Sequence, residues 1–172
     1  MFSTNFINGL IEAFLSKDIY DKKREWAAKR MEQNTEKGSE KGLTEEQAEV
    51  LADLCTFRHE FHTHMNSLVM DNTSSFQELI RLNIRLVDSG LPSIPGVPKD
   101  TTDYIDIDDM NVVYELEKPP EDRDDRRKWI KDNTERILKE LGKLHSDIES
   151  YLATIDEKYE TSYCPSGATR IY

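Results

Sequence analysis

Cysteine is scarce in this chain: Cys55 and Cys164 stand alone, in unlike sequence contexts. That excludes a disulfide-stapled framework and points to a reducing compartment, while a pairing between these two thiols stays open. Seven glycines and six prolines are too few for a low-complexity or fibrous chain. No apolar run approaches the roughly 20 residues that a membrane-spanning helix needs, and Met1 to Leu15 has neither a basic leader nor a small-residue cleavage site. The expected location is therefore the cytoplasm. Basic residues are in deficit, 23 Lys and Arg against 34 Asp and Glu, so the net charge of -11 repels free nucleic acid at long range and favours a basic protein partner. There is no phosphate-cradling glycine loop, no GxSxG and no HExxH.

What is present is enough to fold. Two Trp, seven Tyr and six Phe lie within a 37% hydrophobic composition, and 172 residues suit one domain with an extra N-terminal helix. Between Asn5 and about Gln33, Phe6, Ile7, Leu10, Ile11, Phe14, Leu15, Ile19, Trp26 and Met31 recur mostly at helical steps. The charged, glycine-bearing stretch Asn34 to Gly42 reads as a linker. Thr44 and Gln47 then form a capping box, and Val50, Leu51, Leu54, Phe57, Phe61, Met65 and Leu68 continue a helix beyond it. A further helix is predicted over Ser74 to Val87, ending near Gly90, before Pro92, Pro95 and Pro98 force an extended connection.

From Asp103 to Glu117 the run Tyr104, Ile105, Ile107, Val112, Val113, Tyr114 and Leu116 is β-branched and aromatic, with Asp108 to Asn111 as a turn. A last long helix is expected from about Asp122 to Tyr159. The predicted class is thus α+β, mostly α: long helices packed together, with a small β-hairpin or sheet in the middle region.

Chemistry concentrates at Cys55-Thr56-Phe57-Arg58-His59-Glu60-Phe61-His62, since His59, His62 and His64 are three of the four histidines. His59 and His62, three apart on a helix, project from neighbouring positions beside Arg58. Two imidazoles and a guanidinium suit metal-free RNA scission, which needs a base, an acid and a cation for the phosphorane. The plainer reading packs one histidine at a helix interface and leaves the other solvated. A zinc reading with Cys55, His59 and His62, and Cys164 as an optional fourth ligand, has the one-turn spacing but no second tight ligand pair. No metal or cofactor is therefore expected.

Asp103, Asp106, Asp108, Asp109 and Glu115, with Asp100 and Glu117, read either as a phosphate-mimicking surface for a partner protein or as a solvated hairpin face. Lys22, Lys23, Lys29 and Arg30, with Arg24, are candidate RNA-backbone contacts, or the wet side of a helix.

Two blocks carry a family resemblance. The first is Ile19 to Thr35, then Leu43-Thr44-Glu45-Glu46-Gln47, Leu54-Cys55, Phe57-Arg58-His59 and Phe61-His62. The second is Asp147-Ile148-Glu149, Tyr151-Leu152, Ile155-Asp156-Glu157 and Tyr163-Cys164-Pro165 with Gly167, Ala168 and Arg170. In order and spacing they resemble the first family of type V-A anti-CRISPR proteins. Residues 70–143 match poorly, and residues 1–18 look like an extension before a single domain over 19–172. The resemblance implies a phage-encoded or mobile-element inhibitor that binds the Cas-twelve-a effector loaded with crRNA. It would engage the PAM-reading pocket and cut the guide RNA in its spacer, as a multiple-turnover endoribonuclease. The alternative is a non-catalytic acidic mimic of the PAM duplex. The candidate catalytic set is Arg58, His59 and His62, with Tyr163 and Arg170 from the tail block.

Overall fold

Thr44 starts its helix as the capping box dictates: its hydroxyl accepts from the Gln47 amide at 3.1 Å and the Gln47 side chain accepts from the Thr44 amide at 2.9 Å. A computed structural model of the chain describes residues 4–65, 73–99 and 120–164, with backbone alone at 4–16, 20, 73 and 74. Its elements are α1 (Thr4–Glu40), α2 (Glu45–Thr63), α3 (Thr73–Asp88) and α4 (Arg123–Tyr159). Among the described residues there is no strand, which corrects the α+β expectation to an all-helical one. The stretch Asp103–Glu117, on which the hairpin was expected, lies outside the described residues.

Helices alone close the core. Leu51 and Leu54 of α2, Phe76, Leu79 and Leu86 of α3, and Leu141, Ile148 and Leu152 of α4 are all fully buried in one cluster. Each such side chain contributes roughly 1.5–3 kcal/mol by leaving water. α2 is the central element, packed against α1, α3 and α4. Leu91, Ile94 and Val97 of the proline-bearing connection seal one edge. That connection is pinned by Asn83, which donates to the carbonyls of Val97 (3.0 Å) and Pro98 (2.7 Å) and accepts from the Ile94 amide (2.7 Å). The Tyr151 hydroxyl adds a bond to the Pro92 carbonyl at 2.7 Å.

The expected linker at Asn34 to Gly42 is instead the end of α1. The helix stops at a Schellman turn: Leu43 N–H bonds Gly38 O at 2.8 Å, Gly42 N–H bonds Ser39 O at 3.1 Å, and Gly42 adopts φ +95°. Buried Asn34 gives the polar sequence a tertiary partner by accepting the Ser162 amide at 2.8 Å. Gly38 is needed for space, because a Cβ there lies 2.6 Å from Leu43 Cδ1. By contrast, the described side chains from Lys17 to Lys29 are all exposed, so among the described residues α1 packs through its last turns.

Candidate functional site

The chain reverses after α4 and returns as a short strap over α1, α2 and α4. Glu160 takes the left-handed conformation (φ 54°) that stops the helix. The Asp156 carboxylate then accepts three bonds, from Thr161 Oγ1 (2.8 Å), the Tyr163 amide (2.7 Å) and the Cys164 amide (2.7 Å). Arg30 of α1 donates to the carbonyls of Ser162 (2.7 Å) and Tyr163 (3.0 Å). Cys55 of α2 donates its thiol to the same Tyr163 carbonyl at 3.2 Å. Three helices thus hold four residues, Thr161 to Cys164, and the two motif-bearing blocks of the sequence meet here.

Arg58 lies at the centre. Its Nη1 contacts Glu149 Oε1 at 3.2 Å and Cys164 Sγ at 3.4 Å, with the Arg58 side chain only 13% exposed. The guanidinium is therefore committed to α4 and the strap, as a bridge between them. Its Nε, the Tyr163 hydroxyl and Asn34 Nδ2 are buried without a hydrogen-bond partner among the described residues. Tyr163 is 1% exposed, and burial next to Asp156 raises its phenol to about 12. It works as a core plug and stays protonated at neutral pH. Burial likewise raises the Cys55 and Cys164 thiols, against the pull of Arg58, so neither is primed as a thiolate.

The histidines divide. His59, His62 and His64 are all exposed on or at the end of α2. His62 faces across to α4, where its ring lies 4.8 Å from the ring of His145 at an interplanar angle of 36°. His145 is buried, and its Nε2 lies 3.7 Å from Glu149 Oε1, one turn further along α4. Burial is the main cause that lowers His145 below the usual imidazole range; His62 and Arg58 act in the same direction, and Glu149 opposes them. At neutral pH His145 is uncharged, and its contact with Glu149 is not a full ion pair.

His145 was absent from the candidate set. Its signal is visible afterwards: a histidine on the apolar stripe of Leu141, Leu144 and Ile148, four residues before Glu149. Arg170, Asp103, Asp106, Asp108, Asp109 and Glu115 lie outside the described residues. Of the basic set, Lys22, Lys23 and Lys29 are exposed on α1, Lys22 pairs with Asp18 at 2.8 Å, and Arg30 is taken up by the strap and by the face of Trp26, 5.2 Å away. Among the described residues no group of three or more side chains is arranged to hold a metal ion, and no helix is long and apolar enough to cross a membrane.

Comparison with protein-family models, curated proteins and solved structures returns no match.

Proposed function

We propose that this chain inhibits a type V-A CRISPR effector: it binds the Cas-twelve-a protein loaded with crRNA near its PAM-reading pocket and cuts the guide in its spacer. The observation that carries this reading is the meeting of the two resembling blocks, with Arg58 of the first against Glu149 and Cys164 of the second. Residues more than ninety positions apart share one site, beside two exposed imidazoles on α2.

His62 is the base and His59 the acid. The O–H bond of a 2′-hydroxyl breaks with its proton passing to His62, and the 2′-oxygen bonds to the adjacent phosphorus. The bond from phosphorus to the 5′-oxygen then breaks, and that oxygen takes its proton from His59. The products are a 2′,3′-cyclic phosphate and a 5′-hydroxyl. Because Arg58 is engaged, Arg170 of the tail block is the better candidate for the cation that meets the phosphorane. Lys22, Lys23 and Lys29 supply backbone contacts on α1. The charge of -11 suits entry into a channel that normally holds nucleic acid, and also favours a second reading, a DNA mimic that blocks without cutting.

Labelled guide RNA, free or bound to the effector, is incubated with substoichiometric protein in EDTA and run on a denaturing gel. Truncation of bound guide alone is the expected result. Intact guide together with blocked DNA cleavage at higher protein concentration replaces the nuclease by the mimic.

A further inference from the structure

His145 and His62 come from helices whose sequence positions are 83 apart, yet their rings are 4.8 Å apart. One imidazole is exposed and the other is buried. Every charged or titratable group shown facing the buried ring is accounted for: Glu149 on its own helix, and His62 and Arg58 on α2. Arg58 already holds the Glu149 oxygen that lies nearest His145. That leaves the carboxylate partly neutralised, so His145 gains little from taking a proton.

We propose that His62 and His145 form one proton-handling pair, in which exposed His62 meets the 2′-hydroxyl of an RNA substrate and buried His145, flanked by Glu149, is its positioning residue. This rests on the nuclease reading above and names the partner its base needs. An exposed histidine at the end of a helix has free rotamers; a ring packed against it narrows them to the one that meets α4, with the rest of the imidazole still open to solvent. A neutral neighbour matters equally. When His62 takes the 2′-hydroxyl proton it becomes an imidazolium, and a charged imidazole 4.8 Å away opposes that step, whereas a neutral one does not. The burial that keeps His145 uncharged thus leaves no second imidazolium beside the reacting ring.

The test has two arms. In the first, the histidine ring protons of the intact protein are followed by NMR from pH 5 to 8, in the unaltered chain and in His145→Gln. The packing predicts that the His62 ring-proton shifts move when His145 is replaced, because the ring current of an aromatic neighbour 4.8 Å away is lost, while those of His64 do not move. An unmoved His62 overturns the pair without reference to any activity. In the second, cleavage of effector-bound guide is measured across the same pH range. His62→Ala is expected to lose about a hundredfold or more in rate. His145→Gln is expected to lose between about ten- and a hundredfold in kcat with KM unchanged. A His145→Gln protein that cuts at full rate overturns the proposal and leaves the nuclease reading standing. Failure of the unaltered protein to cut bound guide overturns both, and the NMR arm then distinguishes a structural pair from none.

Discussion

The Asp156 carboxylate holds the backbone amide of Cys164 at 2.7 Å, and with the same group it holds the amide of Tyr163. The reverse turn that brings the second motif to Arg58 therefore hangs on one side chain near the end of α4. Hydrogen bonds to a charged acceptor contribute about 1.5–3 kcal/mol each. Asp156→Ala removes the acceptor for three donors at once, and the expected loss is about 3 kcal/mol, read from a urea unfolding midpoint. Asp156→Asn, which keeps one carbonyl oxygen, is expected to lose less. An Asp156→Asn protein as stable as the unaltered chain would mean that the strap does not depend on charge.

Arg58 and Glu149 form a pair with 13% and 29% of their side chains exposed. Removing one partner leaves the other half-buried and unmatched, which is more costly than the pair is worth. Arg58→Met and Glu149→Gln are each expected to destabilise by about 1–3 kcal/mol. The double variant should cost less than the sum, with a coupling of about 1 kcal/mol in a double-mutant cycle. Arg58→Met has a second expected result: Cys164 loses its cationic neighbour, so its alkylation by iodoacetamide at fixed pH slows further. Faster alkylation with no loss of stability would show that Arg58 shields the thiol and does not anchor the strap.

The helices carrying the site were legible because their periodicity and caps are local properties. Thr44 with Gln47, and the stripe from Ile137 to Ile155, specify α2 and α4 without help from the rest of the chain. The end of α1 was not legible, because Asn34 and Gly38 look like linker residues until Ser162 and Leu43 come into contact with them. The commitment of Arg58 was equally hidden: a guanidinium beside two histidines reads as catalytic, and only the returning strap shows it holding Glu149 and Cys164. His145 escaped for the converse reason. A single histidine on an apolar face carries no pattern until His62 faces it from another helix.

Gly38 provides a direct check on that tertiary origin. Alanine is the better helix former by about 1 kcal/mol, so propensity alone predicts that Gly38→Ala stabilises α1. The added methyl would sit 2.6 Å from Leu43 Cδ1, and Leu43 is 4% exposed. Displacing a buried leucine costs about 1–3 kcal/mol, so the net change expected is a destabilisation, measured by thermal unfolding. The double variant Gly38→Ala, Leu43→Ala should show no further penalty from the clash. Stabilisation by Gly38→Ala alone would mean that the turn after α1 rearranges freely.

The buried His145 ties stability to pH in a definite direction. In the unfolded chain it titrates near 6.5, while in the fold burial, His62 and Arg58 lower that value. Between the two values the unfolded chain binds more protons than the folded one, so stability rises with pH. Above the unfolded value both states are neutral at this residue, and its contribution to the slope vanishes. Titration from pH 8 toward 5 with acid, at constant ionic strength, should therefore show a contribution from His145 that is flat at first and then lowers the urea midpoint progressively below about pH 6.5. His145→Gln cannot take up the proton, and its midpoint should fall less over the acidic part of the range. His59→Gln, at an exposed site, serves as the comparison and should follow the unaltered chain. If His145→Gln retains the full acid dependence, the charge that opposes folding resides on another group, and His145 is not held neutral by its surroundings.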